Sequence, residues 1–347
     1  NVNLDISFDG GTNYNSLVKA SGATLEGNAV HVNDEFETVI YSGDGGTNNV
    51  VSTSNITNID FIWFKGRTNT GWHSIYDTIR GNNRIFPNDT MNEVAGNVIF
   101  GNSSVTLTAN DFHNNLAGTN NYVAWCASLP NHTVSNTAGT ITSETKANSF
   151  MSVVSFTETV AIATVGHGLN KAPELILQKH RNVAASWYVY SSTLGATKGL
   201  RLETTAAEAT VGWWNNMEPS STVFTTNQGG TSPMIAYAFT SVEGLCKVGS
   251  YTGTGVAGNV VECGFEPAWV MVKRTSGIDS WMIFDLKRDD NGLQAESSTA
   301  ETGSWLINLE DSGFSIDSTF SDVNTLNGSY IYLAIAKNTP EDLRIKE

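Results

Sequence analysis

Apolar residues in this chain gather in runs of strand length that stop on a lysine. Pro267-Ala268-Trp269-Val270-Met271-Val272 ends on Lys273. The run Pro173-Glu174-Leu175-Ile176-Leu177-Gln178 ends on Lys179, 94 residues earlier, and Ile59-Asp60-Phe61-Ile62-Trp63-Phe64 ends on Lys65, a further 114 back. An aromatic precedes each lysine by 22 to 24 residues, at Tyr41, Phe156 and Tyr251. Trp187 and Trp281 follow their lysines by eight residues, and Trp72 follows Lys65 by seven. A glutamate lies 28 or 29 residues past each lysine, at Glu93, Glu208 and Glu301. A second apolar run begins 55 to 57 residues past it, at Tyr122, Met234 and Tyr330.

So many shared offsets predict one strand-rich unit of about 90 residues written three times. The expected fold class is all-β, with three tandem β-sandwich or jelly-roll-like repeats at 36–130, 147–242 and 243–338. In Tyr330-Ile331-Tyr332-Leu333-Ala334-Ile335-Ala336 the even positions are aromatic or small and the odd ones mostly aliphatic. Successive side chains of a strand face opposite ways, so both faces are expected to be buried between layers. Glycines at eight- to twelve-residue spacing supply the turns of a short-stranded sandwich. The alternative architecture is an interleaved fibre whose sheets are completed by neighbouring chains.

Residues 1–35 form an N-terminal extension in this reading. The stretch 131–146, rich in Ser, Thr and Asn, reads as a linker. In the tail 339–347, Thr339-Pro340-Glu341-Asp342 predicts the start of a short helix.

Composition narrows the function classes. The net charge is −15, from 19 basic and 34 acidic residues, which disfavours a phosphate backbone and hence nucleic acid. No apolar run reaches the ~18–20 residues that span a bilayer, so no membrane insertion is expected. The opening Asn1-Val2-Asn3-Leu4-Asp5 is neither an initiator methionine nor a signal peptide, and reads as a processed end or an internal cut. Cys126, Cys246 and Cys263 are too few for a disulfide framework or a zinc site. Cys126 reads as a buried thiol, and pairing of Cys246 with Cys263 is left open.

Particular segments resemble a known family. Ile62-Trp63-Phe64-Lys65-Gly66-Arg67, Asp77-Thr78-Ile79-Arg80-Gly81 and Tyr122-Val123-Ala124-Trp125 look like a repeat domain of bacteriophage virion proteins, especially tail-fibre-like proteins of marine phages. Thr204-Thr205-Ala206-Ala207-Glu208-Ala209-Thr210 is similar to its middle stretch, and Gly264-Phe265-Glu266-Pro267 and Asp311-Ser312-Gly313-Phe314 to its opening and its turn. The resemblance spans 36–338 and brings no catalytic residues. It implies a virion or extracellular location, a structural or host-attachment role and assembly as a homo-oligomer. The implied partners are other virion proteins and a host surface glycan or protein.

Candidate chemistry is sparse. Asp77 with Arg80 and Asp285 with Arg288 stand three apart, while the second unit has Ser191 and Leu194 at those offsets. Joint loss of both partners marks a structural ion pair, because a lone buried charge is costly and a deleted pair is not. The three lysines read as guards of strand ends, with their stems on apolar surface. Asp-Gly-Gly-Thr-Asn occurs at Asp9 and at Asp44, and reads either as a calcium turn or as an ordinary hairpin turn. The six histidines show no metal-ligand or nucleophile-base spacing, and no paired carboxylates mark a glycosidase. Trp213-Trp214 is the one adjacent tryptophan pair, and strand alternation would let one of the two reach solvent to stack on a sugar or anchor a partner.

The expected function is therefore a non-enzymatic virion structural protein, a tail fibre or similar appendage shaped as a rod of units in series. An architectural capsid-decoration or filament subunit, and a carbohydrate-binding module of a glycan-active protein, are the alternatives.

Overall fold

The two faces of the closing strand Ser329–Ala336 decide the architecture. Tyr330, Tyr332 and Ala334 pack with Val270, Val272 and Phe314 in a core inside the third unit. Ile331, Leu333 and Ile335 face the other way, into a core that also receives Trp63 and Trp125 from the first unit and Leu177 and Tyr237 from the second. The computed structural model that shows this describes residues 35–288, 291–303 and 307–337.

The fold is all-β, with one short helix, Ser321–Asn324, among the described residues. Three large antiparallel sheets share one strand order. In the first unit the opening strand Phe36–Ser42 pairs with the closing strand Asn121–Ala127, then comes the lysine strand Phe61–Gly66, then Ser74–Asp77. The second sheet runs Met151–Thr157, Pro233–Phe239, Leu175–His180, Tyr188–Ser191, and the third Cys246–Thr252, Ser329–Ala336, Pro267–Arg274, Trp281–Asp285. The register is also shared. Lys65 lies opposite Val123, Lys179 opposite Ile235 and Lys273 opposite Ile331. Tyr41, Phe156 and Tyr251 lie opposite Tyr122, Met234 and Tyr330.

Each large sheet carries a smaller one on its outward face. In the first unit this is Asn49–Ser52, Ser104–Leu107 and Val98–Phe100; in the third, Asn259–Glu262, Gly313–Ile316 and Ile307–Glu310. The second unit has only Ala163–Gly166 with Val223–Thr226. Its Trp214 enters the core between the layers, edge-on to Tyr190 at 5.7 Å.

The inward faces of the large sheets meet. Trp125 approaches Trp269 of the third unit at 6.2 Å, and Phe61 approaches Tyr237 of the second at 5.2 Å. Only about 20 Å³ of free space remains among these side chains, and all of it is apolar. A space that barely holds one water and offers it no polar partner stays dry, so the centre is packed and is not a channel.

Backbone contacts close the three units into a ring. Glu93 N donates to Arg181 O, Glu208 N to Thr275 O and Glu301 N to Arg67 O, at 2.8–2.9 Å. The last of these joins the third unit back to the first. A rod of units in series was expected from tandem order alone; the closed arrangement follows from the inward apolar face that every large sheet must cover. The sheets are completed by strands of the same chain, in contrast to the interleaved-fibre alternative.

Residues 131–146 depart from the linker expectation. Asn131–Asn136 and most of Ser143–Ala147 lie there as strands, extending the second sheet beyond Met151–Thr157. Thr and Ser are at home on a half-solvated edge, and Ser143, Thr145 and Ala147 alternate inward along the strand. All three cysteines are free thiols, Cys126 and Cys246 buried and Cys263 partly so. The N-terminal extension with Asp9 and the expected helix at Thr339 lie outside the described residues.

Candidate binding groove

The recurring charged residues sit in the seams between units. Period-two alternation places Lys65, Lys179 and Lys273 on the same face as the inward Trp63, Leu177 and Met271, and all three are buried. Each donates to a carbonyl of the preceding unit around the ring: Lys65 to Ser298 O (3.1 Å), Lys179 to Thr90 O (2.8 Å) and Lys273 to Thr205 O (3.2 Å). They are seam pins, not exposed guards of strand ends. Burial pushes Lys65 down to about 7 and Lys179 and Lys273 down to about 8.

The tryptophan register also differs from expectation. Trp187 Nε1 donates to Phe86 O and Trp281 Nε1 to Arg201 O, each across a seam. The equivalent place in the first unit belongs to His73, whose Nε2 meets Gln294 O at 3.0 Å. Trp63 Nε1 donates to His73 Nδ1 at 2.8 Å, so the imidazole is neutral with its proton on Nε2. Burial, then the Lys65 charge, hold its pKa well below the ordinary value. Trp72 instead packs on Phe86 at 5.3 Å.

The Asp–Arg pairs are buried and structural in geometry. Arg80 Nε meets Asp77 Oδ2 at 2.6 Å, and Arg288 Nε meets Asp285 Oδ2 at 2.6 Å. Each aspartate also accepts from the next unit's closing strand, Asp77 from Tyr237 OH and Asp285 from Trp125 Nε1, both at 2.9 Å. Asp44 is exposed, and its Oδ1 accepts from Gly46 N at 2.7 Å, as in an ordinary turn. Among the described residues no group of three or more His, Cys, Asp or Glu converges as a metal site.

What remains open to solvent and chemically distinctive lies on the second unit. The strands Lys198–Gly199 and Ala209–Thr210 pair as a small hairpin beneath Trp213. A β-carbon at position 199 would come within 2.5 Å of the Trp213 ring, so glycine lets the indole lie against the hairpin. Tyr188 packs edge-on to Trp213 at 4.9 Å, and the Arg201 guanidinium stands 5.9 Å from the ring centre. Around them Thr204, Ala206, Ala207, Thr210 and Gly212 line a groove of about 510 Å³.

Trp213 and Trp214 therefore separate, the first half-buried in the groove and the second in the core. They do so from a turn, with Asn215 and Asn216 at positive φ, and not from the strand that the sequence suggested. Arg201 was not singled out from sequence. The available signal was its alignment with Phe86, the first-unit residue that also accepts the seam tryptophan's N–H, and whose ring packs on Trp72 and His113. Arginine at that place leaves a charge at the rim where the first unit has an apolar plug.

Comparison with known proteins adds a family without a described activity. No curated protein matches the chain. The model of a family described as a domain of unknown function (DUF7483) matches residues 31–339, covering all three units. The chain belongs to that family, the domain of unknown function DUF7483.

Proposed function

We propose that this chain is a non-enzymatic structural and binding component of a virion surface appendage, of the tail-fibre kind, presenting the second unit's groove to a host surface. The observation that carries the reading is the division of labour among polar residues. The lysines, glutamates and Asp–Arg pairs that recur between units are engaged in seams and cores, while Trp213 and Arg201 face an open groove. A ring of sheets on one dry core holds such a groove rigidly, which lowers the ordering cost of binding. The resemblance to phage tail-fibre-like repeats supports the virion setting. Other virion proteins and a host glycan or protein are the partners in this reading.

Quantitative mass spectrometry and immunogold labelling of purified particles test it. A fixed copy number with label on an appendage is expected; absence from particles, or release of product from host polysaccharide by the purified chain, contradicts it. A filament or decoration subunit is the second reading. It is favoured by the sheet-edge strand Asn131–Asn136, five of whose six residues are exposed. Such an edge is a template for pairing with another chain.

A further inference from the structure

We infer that the groove beside Trp213 binds an acidic sugar residue, with the sugar ring on the indole and its carboxylate on the Arg201 guanidinium; this rests on the binding role proposed above and names its ligand class.

Three observations converge on that chemistry. The first concerns charge. Of the seven arginines among the described residues, Arg67, Arg80, Arg84, Arg181, Arg274 and Arg288 each form an ion pair with a carboxylate. Arg201 is exposed and forms no such pair, in a chain with 34 acidic residues. The nearby acids are engaged elsewhere. Glu203 accepts from Trp187 N, Glu208 pairs with Lys198 at 3.4 Å, and Glu218 accepts from Ala196 N and the Tyr190 hydroxyl. The guanidinium fork is thus left for an outside carboxylate, which it matches in a planar two-bond geometry.

The second observation is the platform. Trp213 is held from below by Gly199 and from the side by Tyr188, so its ring is fixed before any ligand arrives. A half-buried indole that lines a groove open to solvent suits the apolar C–H surface of a sugar. The third is shape. The lining is small or hydroxylated, with Thr204 and Thr210 able to bond sugar hydroxyls, and its volume of about 510 Å³ falls within the roughly 300–1,000 Å³ of small-ligand sites. The same hairpin position in the first unit holds Phe86 packed on Trp72, so the first unit has no such site.

The test is a titration of the purified full chain with tri-galacturonate and with 3′-sialyllactose, read by calorimetry and saturation-transfer NMR. Lactose and acetate are the comparators, and Arg201→Gln and Trp213→Ala the variants. Saturable binding of at least one acidic oligosaccharide is expected, about tenfold weaker in Arg201→Gln, as for loss of one charge-assisted contact. Equal binding of lactose or acetate, unchanged binding by both variants, or no binding of either acidic probe overturns the inference. Far-ultraviolet circular dichroism of the variants separates a lost site from a lost fold. A chain that binds acidic sugar but is missing from particles defeats the virion reading and leaves this site standing. A chain that labels appendages but binds host cells equally well with both substitutions does the reverse.

Discussion

Tyr237 of the second unit donates its hydroxyl proton to Asp77 Oδ2 of the first at 2.9 Å, and accepts from Arg80 Nη2 at 2.8 Å. The corresponding trio at the next seam is Ser191, Leu194 and Leu333: charge, countercharge and donor have all gone together. Ser191 Oγ is left buried and without a hydrogen-bond partner, and Leu194 packs against the shared core. Three buried polar groups that depend on one another are replaced as a set, because any one left behind is desolvated and unmatched.

That dependence sets the first prediction. Asp77→Ser alone strands a buried guanidinium and is expected to cost about 3–5 kcal/mol, whereas Asp77→Ser with Arg80→Leu and Tyr237→Leu is expected to restore most of the loss. Urea unfolding midpoints of the single and triple variants check it. Additive losses would show that the trio is not a unit.

The seam glutamates give a graded prediction. Glu301 pairs with Arg67 at 2.8 Å across a seam, while Glu208 faces Thr275 there and reaches only Lys198. Glu301→Gln is expected to lower stability by about 1 kcal/mol at low ionic strength, an effect that shrinks in high salt. Glu208→Gln is expected to change little. Thermal melts at two salt concentrations distinguish the pair.

Alkaline pH is expected to stabilise the protein over a limited range. Burial lowers Lys65 to about 7 and Lys179 and Lys273 to about 8, against 10.5 for a free lysine. Between those values the unfolded chain binds more protons than the folded one, so stability rises with pH. Burial raises the thiols of Cys126, Cys246 and Cys263 above 9.0, and above that pH the folded chain retains protons that the unfolded chain releases. The rise therefore reverses. Urea midpoints should climb from pH 7 to 9 and climb less in Lys65→Met; a flat profile would contradict the assignment.

The two neighbouring tryptophans are expected to respond unequally to truncation. Trp214→Ala empties a buried position and should cost about 3–5 kcal/mol. Trp213→Ala, half-buried at a groove and only partly packed on the second unit's core, should cost about 1–2 kcal/mol. Chemical denaturation of both variants measures the contrast.

Much of this arrangement was legible in residue patterns, and the exceptions share a cause. The alternation in Tyr330 to Ala336 correctly announced two buried faces, since period two is a local property of a strand. It left unsaid that one face belongs to a core shared by other units. The same gap explains the lysines: parity with Trp63, Leu177 and Met271 puts them on the inward face, but the carbonyls that receive them there lie 68 to 233 positions away in the sequence, Ser298 from Lys65 being the farthest. His73 was hidden because residue type, not register, guided the match with Trp187 and Trp281. Arg201 was hidden because an exposed arginine carries no pattern until its neighbours are known to be paired. The 131–146 strands were hidden by a composition that suits an edge strand as well as a loop.

Cooperativity of unfolding tests the shared core most directly. Equilibrium urea unfolding of the full chain can be followed by hydrogen exchange at Val123, Ile235 and Ile331, the equivalent closing-strand positions of the three units, with and without Asp77→Ser. Units that cover one another's inward faces should lose protection at a single midpoint, and the substitution in the first unit should lower that midpoint for all three. Three separable transitions, with only the first unit shifted, would mean that each sandwich stands by itself and that the ring is not the unit of stability.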